Sequence, residues 1–175
     1  MFINIYLYLD TLVRKLQREC LHGGEGGFYG SLTIGSMKAL CNLINISSSD
    51  VFLDIGSGSG CWVLYVSLMR GCRSIGIEAD EIAAQQSQTA LEICGLCKII
   101  QKDIADCSVE IDSLHDVTVA FSYDSVFPPE KLSALQNLLL TLPKLRVAVV
   151  AHTELSHFMS LTASLHIWDS KQSKI

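Results

Sequence analysis

The chain has 175 residues, 49% of them hydrophobic, which is enough for one well-cored domain and too short for two of typical size. Its 18 acidic and 13 basic residues give a formal net charge of −5, and this balance argues against a protein that holds nucleic acid through its own surface. The seven cysteines, an odd number spread along the chain, are typical of reduced thiols in an intracellular protein, cytoplasmic or nuclear, and not of a disulfide framework.

The first nine residues are apolar enough to raise the question of a signal peptide or a membrane span. They have no basic start and no small-residue cleavage site, and the run ends at Asp10, far short of the roughly 20 residues that cross a bilayer. Apolar residues continue at helical spacing as far as Leu16. We therefore expect no membrane association. Residues 1–28 are expected to form a packed helix and a glycine-rich loop, and residues 29–175 are expected to form one domain.

A short apolar run at residues 51–55 ends in three glycines at alternate positions. The run predicts a buried strand, after a helix around residues 37–44, and a second helix is predicted at residues 61–70. Glycines let the backbone turn tightly and pass close to a ligand, and the following helix points its unpaired N–H groups at that ligand. We expect the turn residues Gly56, Ser57, Gly58 and Gly60 to contact a bound cofactor.

The glycine spacing excludes the dinucleotide-binding fingerprint, which needs glycine at the first, third and sixth positions. The sixth position is Cys61 when counted from Gly56, and Val63 when counted from Gly58. The pattern instead favours the nucleotide end of an S-adenosylmethionine site.

Strand-like and helix-like segments alternate along the rest of the chain. Further strands are predicted at residues 74–77, 98–101, 117–121 and 145–151, and helices at 81–94 and 129–140. This alternation predicts an α/β, Rossmann-like fold with a mostly parallel, doubly wound sheet. Residues 165–168 suggest one more strand, in an abbreviated C-terminal hairpin.

Three acidic residues end or follow successive strands, at the edge where such sheets bind ligands. Glu78 is expected to accept hydrogen bonds from the ribose hydroxyls, and Asp103 from the adenine amino group. Asp54 is expected to order the turn or to meet the ligand's ammonium through water. Ala79 and Ile104, which follow two of these acids, are assigned to the same pocket.

The segment that leaves the fourth strand is where a methyl donor and its acceptor are expected to meet. Ser122 is assigned to the methionine end of the cofactor, and Tyr123 and Phe127 to the walls of a narrow channel around an amine. Asp124 or water receives the proton that the amine must lose. Methyl transfer from a sulfonium depends mainly on in-line alignment of the nucleophile.

Several other residues could in principle react or bind a ligand, but we interpret them as structural. Cys94 and Cys97 have redox or zinc-ligand spacing, but no second pair completes a metal site, and we interpret them as buried structural thiols. His152 is interpreted as a core or rim residue. Trp62 and Tyr65 are interpreted as packing residues, and no metal is expected.

The sequence resembles class I S-adenosylmethionine-dependent methyltransferases over residues 29–152, and within them the disruptor-of-telomeric-silencing (Dot-type) histone lysine methyltransferases. Three stretches carry the resemblance: residues 28–31, 52–60 and 121–130. The first is similar to the family's Tyr-Gly-Glu loop, which closes over the methionine part of the cofactor and here contains Tyr29. The others are similar to its glycine turn and to its motif after the fourth strand.

The chain departs from the family pattern at three places. Ser31 replaces the glutamate of the family's loop, and Cys61 replaces a glutamine. Residues 123–125 replace an Asn-Asn-aromatic triplet that orients the target lysine in the family. The family's nucleosome-active members also have a larger helical N-terminal region and basic segments that grip DNA. We therefore expect weak nucleosome binding without a partner subunit.

The resemblance implies transfer of a methyl group from S-adenosylmethionine to a lysine of a protein substrate, a histone or nucleosome, with S-adenosylhomocysteine as product. A second hypothesis keeps the chemistry with a small molecule, an RNA or a non-histone protein as acceptor. A third is a catalytically silent cofactor-binding module that works with a partner.

Overall fold

The computed structural model describes residues 32–92, 94–106, 113–151 and 166–169. The expected N-terminal helix, Tyr29 and His152 lie outside these residues. In the described ranges six strands form one sheet, in the order β3-β2-β1-β4-β5-β6. They are β1 (Val51–Ile55), β2 (Arg73–Glu78), β3 (Cys97–Gln101), β4 (Val119–Ser122), β5 (Val147–Val150) and β6 (His166–Asp169).

Helices in the described ranges cover the sheet on both faces. They are α1 (Ile34–Leu43), α2 (Cys61–Arg70), α3 (Glu81–Leu91) and α4 (Pro129–Thr141), and a 3-10 turn covers Ile104–Asp106. The neighbours β3-β2-β1-β4-β5 are parallel, and β6 runs antiparallel to β5. The α/β, Rossmann-like, mostly parallel fold predicted from the sequence is therefore confirmed.

The alternation of side chains along β1 divides the core between the two faces. Phe52 faces the cluster that contains the buried residues of α1 and α2. Leu53 and Ile55 face the cluster that contains Leu135 and the other buried residues of α4. Because both faces are covered, the central parallel strands β1, β4 and β5 are mostly apolar, as such strands are in α/β proteins.

Capping side chains, a glycine and a proline set the ends of the helices. Thr33 caps α1 by accepting a hydrogen bond from the Ser36 N–H at 3.2 Å, and Asp80 caps α3 by accepting one from the Ala83 N–H at 2.8 Å. Helix α2 ends at Gly71, whose φ of +68° is the left-handed conformation common after a helix. Pro129 opens α4 at its first position, where the missing N–H is tolerated.

Several boundaries differ from the prediction. The helix predicted over residues 81–94 ends at Leu91, because the chain must turn early enough for Cys97 to pair with Ser74 of β2. The strand predicted at residues 117–121 begins at Val119, because the Val117 N–H closes a turn on the Leu114 carbonyl at 3.0 Å. The strand predicted at residues 145–151 is shorter, covering Val147–Val150.

A buried ion pair joins three chain segments at the amino end of the sheet. Asp50 is 7% exposed and accepts hydrogen bonds from Arg146 Nε and Nη2, both at 2.8 Å. It also accepts a hydrogen bond from Thr118 Oγ1 at 2.8 Å. Because these residues precede β1, β5 and β4, the pair holds the starts of three adjacent strands together, at the end of the sheet opposite the glycine turn.

Candidate functional site

The glycine turn lies at the carboxyl end of β1, next to β4, where the strand order reverses. In such folds ligands bind in the crevice at this point. The N–H groups of Gly56 and Ser57 both donate to the Ile77 carbonyl, at 2.9 and 3.0 Å, so the turn folds over the end of β2. Gly60 begins α2 without a side-chain cap, which leaves the helix N-terminus suited to an acceptor on a ligand.

Glu78 connects the end of β2 to the glycine turn. Its Oε2 accepts a hydrogen bond from the Gly58 N–H at 2.6 Å, and its Oε1 accepts one from the Asp80 N–H at 2.9 Å. The side chain is 7% exposed. The predicted ribose-binding acid therefore lies directly against the predicted turn, with Ala79, half-buried, as the next residue.

Asp54 is a buried acid one strand away from Glu78. It is 3% exposed, and its register partners are Gly76 on β2 and Phe121 on β4. Burial, and secondarily the negative charge of Glu78, raises the pKa of Asp54 to about 8. At neutral pH this shift favours the protonated form of Asp54.

Two buried polar atoms near the turn have no hydrogen-bond partner among the described residues: Ser57 Oγ and Trp62 Nε1. Trp62 packs against Phe121, with ring centroids 4.9 Å apart. A buried donor without a partner is costly, by about 1–3 kcal/mol, and is expected where a ligand completes the site. These atoms, with two buried carboxyl groups, fit a ligand that carries hydroxyls, a carboxylate and positive charge, as S-adenosylmethionine does.

Asp103 lies after β3, at the same edge of the sheet. Its Oδ1 accepts a hydrogen bond from the Ala105 N–H at 3.0 Å, and its Oδ2 pairs with Lys131 Nζ of α4 at 2.9 Å. Burial opposes the ionised form, but these two partners outweigh it and lower the pKa of Asp103. The acid assigned to adenine thus also caps the 3-10 turn that contains buried Ile104.

The last residue of β4 and the segment that follows it form hydrogen bonds with both neighbouring strands. Ser122 is fully buried and donates its hydroxyl to the Ile55 carbonyl at 2.8 Å. Asp124 is also fully buried, and its Oδ1 accepts a hydrogen bond from the Ala151 N–H after β5 at 2.6 Å. These contacts bring the end of β4 beside the glycine turn.

The two aromatic residues of this segment have different surroundings. The Phe127 ring lies on Gly56, so close that a Cβ at Gly56 would be 2.9 Å from Phe127 Cζ. Tyr123 is 37% exposed. The structure thus brings the cofactor residues predicted at β1, β2 and β4 together with Phe127, and it leaves Tyr123 facing outward.

Sequence reasoning missed two supports of the site. Ser87 on α3 is fully buried; its hydroxyl donates to the Ala83 carbonyl at 2.5 Å and lies 3.2 Å from the Gly58 carbonyl. Lys131 on α4 pairs with Asp103. A serine or lysine within an amphipathic helix carries no sequence signal for such a contact.

The described ranges contain neither a metal-ligand cluster nor a helix that could cross a bilayer. In these ranges there is no group of three or more His, Cys, Asp or Glu side chains placed to hold a metal ion. None of the helices there is long and apolar enough to cross a bilayer.

Solved structures with a similar fold are S-adenosylmethionine-dependent methyltransferases. An RNA methyltransferase from Salinibacter ruber, in complex with S-adenosylhomocysteine, has a TM-score of 0.63 and 19% identity, over 80% of this chain and 93% of that one. A methyltransferase from Thiobacillus denitrificans with the same ligand has a TM-score of 0.56 and 18% identity, over 79% of this chain. One from Geobacter sulfurreducens has a TM-score of 0.55 and 15% identity, over 82% of this chain.

The chain spans 54% of the length of each of the last two proteins. At these identities the likeness shows the fold alone. No curated protein sequence matches the chain.

A family model gives the more specific assignment. The model described as "Histone methylation protein DOT1" matches residues 13–120, a stretch that includes the glycine turn, Glu78 and Asp103. Because this match covers more than half of the 175 residues, the chain belongs to the DOT1 histone methylation protein family.

Proposed function

We propose that the protein transfers a methyl group from S-adenosylmethionine to a lysine side chain of a histone. The observation that carries the proposal is the family match, which includes the carboxylate of Glu78 held against the glycine turn. The class I methyltransferase fold supports the chemistry, and the family supports the acceptor.

The chain's own residues account for cofactor binding. Glu78 has two oxygens with about four acceptor positions in all, of which two are used by the N–H groups of Gly58 and Asp80, so two remain for ribose hydroxyls. We assign Asp103 to the adenine amino group, and Ser57 Oγ and Asp54 to the part of the cofactor beside the turn. When bound, S-adenosylmethionine supplies a methyl group on a positively charged sulfur.

The segment after β4 is proposed to receive the lysine. Tyr123 and Phe127 are the walls of the entry, and the Phe127 ring also covers Gly56. Because the buried carboxylate of Asp124 holds the Ala151 N–H, we assign Asp124 a positioning role and expect water to take the lysine proton. The main contribution of this segment is to align the lysine amine with the methyl–sulfur bond, because alignment is the largest effect a protein can have on methyl transfer.

The test is transfer of labelled methyl groups to parallel acceptors. The protein is incubated with methyl-labelled S-adenosylmethionine and, separately, with nucleosomes, free histones, total RNA or a small-molecule extract. We expect label on a histone lysine, with free histones favoured, because the net charge of −5 leads us to expect weak DNA binding. A Glu78→Ala variant is the control for cofactor-dependent transfer.

Other outcomes contradict the proposal in distinct ways. Label on RNA or on a small molecule keeps the chemistry and reassigns the acceptor. Cofactor binding without any labelled acceptor favours a silent module that works with a partner subunit.

A further inference from the structure

Cys94 and Cys97 enclose a tight turn between α3 and β3. The Cys97 N–H donates to the Cys94 carbonyl at 3.0 Å, which closes a four-residue turn. Such turns hold the first and fourth Cα atoms within about 7 Å, and a disulfide joins Cα atoms about 4.4–6.8 Å apart. The turn therefore brings the Cα atoms of Cys94 and Cys97 to about the separation that a disulfide spans.

Both thiols contact the same turn of α2. Cys94 Sγ lies 3.4 Å from Ser67 Oγ, and the Cys97 thiol donates to the Val63 carbonyl at 3.7 Å. Val63 and Ser67 are one helical turn apart, so the two sulfurs converge on one surface.

The two thiols differ in acidity. Burial raises the pKa of Cys94, but hydrogen bonds from Ser67, the Leu96 N–H and Cys97 outweigh it, so the pKa of Cys94 lies below its ordinary value. Burial and the neighbouring Cys94 raise the pKa of Cys97 to about 12. Cys94 is thus the thiol that ionises first, and the ionised form is the nucleophile.

The turn lies at the surface of the protein. Leu96 is 45% exposed, and nothing lies within 4 Å of where a Cβ would stand on Gly95. Cys94 is 8% exposed and Cys97 is half-buried, whereas Cys72, near Ser74 Oγ at 3.9 Å, is fully buried. Both thiols of the turn are therefore more accessible to a small oxidant than Cys72 is.

We propose that Cys94 and Cys97 are a site of reversible oxidation, where a small disulfide such as oxidised glutathione converts the two thiols into one disulfide. The Cys94 thiolate attacks a glutathione sulfur, which forms a mixed disulfide and releases one reduced glutathione. Cys97 then loses its proton to water and attacks the Cys94 sulfur, which releases the second glutathione. Two protein thiols are oxidised and one glutathione disulfide is reduced.

The bond would join two elements that support the glycine turn. Helix α3 carries Ser87, whose hydroxyl lies 3.2 Å from the Gly58 carbonyl. Strand β3 carries Ile99, whose Cδ1 would be 3.6 Å from a Cβ on Gly60. The site of oxidation is therefore on the scaffold of the turn and outside the set of residues assigned to the cofactor.

A peptide map of the oxidised protein tests the proposal. The folded chain is equilibrated in mixtures of oxidised and reduced glutathione, quenched with N-ethylmaleimide, digested with trypsin without reduction and analysed by mass spectrometry. Both thiols lie in the tryptic peptide of residues 74–98, which has no other cysteine, whereas Cys72 lies in the peptide of residues 71–73. We expect peptide 74–98 to lose two hydrogen atoms and to carry no maleimide, and dithiothreitol to reverse this.

Two results of the map would overturn the proposal. One is a bond between peptides 74–98 and 71–73, which would make Cys72 the partner. The other is complete alkylation of both thiols in peptide 74–98 at every glutathione ratio, including oxidised glutathione alone. This map uses the unaltered protein, so it does not depend on the folding of any variant.

Variants test the order of attack. Cys97→Ser should accumulate one glutathione on Cys94, and Cys94→Ser should accumulate one on Cys97 at least about tenfold more slowly, because Cys97 ionises less. Cys72→Ser is the matched control and should form the disulfide like the unaltered chain. Equal rates in the two single variants would refute Cys94 as the attacking thiol. In urea the difference should vanish, since it depends on the folded contacts with Ser67 and the Leu96 N–H.

Discussion

The Glu78 carboxylate accepts a hydrogen bond from the Gly58 N–H at 2.6 Å, and this contact joins the end of β2 to the turn that follows β1. The same carboxylate accepts the Asp80 N–H, and Asp80 in turn caps α3. One side chain thus shapes the turn, orients the next helix and keeps acceptor positions for a ligand. We therefore expect binding of the ribose hydroxyls and order in the turn to be coupled through Glu78.

Replacement of Glu78 should weaken cofactor binding. We expect Glu78→Ala to reduce the affinity for S-adenosylhomocysteine by about 1–3 kcal/mol, because the ribose hydroxyls lose a charged acceptor. Isothermal titration calorimetry measures the change. Glu81→Ala is the matched control, since Glu81 is an exposed acid whose side chain contacts Gln85 on its own helix. Unchanged affinity in Glu78→Ala, or an equal loss in Glu81→Ala, would refute the assignment.

Replacement of Gly56 should destabilise the fold more than replacement of Gly71. Both residues have positive φ, +79° and +68°, which costs a side-chain-bearing residue about 1–2 kcal/mol. A Cβ at Gly71 meets only Ser48 Cβ at 3.8 Å, but one at Gly56 meets Phe127 Cζ at 2.9 Å. We therefore expect Gly56→Ala to lose about 1–3 kcal/mol more in the free energy of unfolding than Gly71→Ala does.

A double-mutant cycle isolates the contribution of the Phe127 ring to the cost of Gly56→Ala. In a Phe127→Ala background, Gly56→Ala should cost no more than Gly71→Ala does, since only the backbone strain remains. Urea denaturation measures each free energy of unfolding. An equal cost of Gly56→Ala with and without the Phe127 ring would show that the ring does not restrict this position.

The Asp50–Arg146 pair should make part of the stability dependent on acid pH. Burial raises the pKa of Asp50, but hydrogen bonds from Arg146, Ser47 and Thr118 outweigh it and lower the pKa from 3.8 to about 2. The unfolded chain therefore takes up this proton near pH 4 and the folded chain only near pH 2. The stabilisation is present above pH 4 and is lost as the pH falls to 2.

Comparison with Asp50→Asn isolates this contribution. The variant should be less stable than the unaltered chain at pH 6, and the difference should shrink by about 2 kcal/mol between pH 6 and pH 2. Asp116→Asn is the control, because its ion pair with Arg73 is partly exposed and such pairs contribute about 0–1 kcal/mol. A constant difference between Asp50→Asn and the unaltered chain would contradict the prediction.

Asp54 should change the pH dependence of the free energy of unfolding in the direction opposite to that of Asp50. Its pKa is raised from 3.8 to about 8 by burial and by the charge of Glu78. The unfolded chain loses this proton near pH 4 and the folded chain near pH 8, so folding becomes less favourable as the pH rises between these values. Asp54→Asn removes this penalty, and its stability relative to the unaltered chain should increase from pH 5 to pH 8 and then level off. Urea denaturation at several pH values measures it, and parallel pH profiles would contradict it.

Cofactor binding should release a proton from Asp54. S-adenosylmethionine carries a sulfonium and an ammonium group, and a cation beside a carboxyl group favours its ionised form. At pH 7 the binding enthalpy should therefore depend on the ionisation enthalpy of the buffer. S-adenosylhomocysteine lacks the sulfonium and should release less. Asp54→Asn should abolish the buffer dependence, and persistence of the dependence in this variant would assign the proton to another group.

Much of the fold and part of the site could be predicted from the sequence. The prediction of β1, the turn and α2 came from a contiguous pattern of apolar residues and glycines, and the helix boundaries Cys61–Arg70 are as expected. The end of α3 was predicted wrongly, because Gly95 looks like a helix terminator although the pairing of β3 with β2 requires the chain to turn earlier. Glu78 was predicted next to the turn because a parallel topology brings the carboxyl ends of β1 and β2 together.

By itself, the sequence determined the order of strands and helices and the residue types at the carboxyl ends of the strands, because periodicity and glycine spacing are local properties. Only the tertiary structure decided which groups those residues meet. Asp103 pairs with Lys131, Asp124 holds the Ala151 N–H, and Phe127 lies on Gly56. Each of these contacts joins residues that are far apart in the chain, and packing of the helices and strands on the sheet is what brings such residues within a few ångströms of each other.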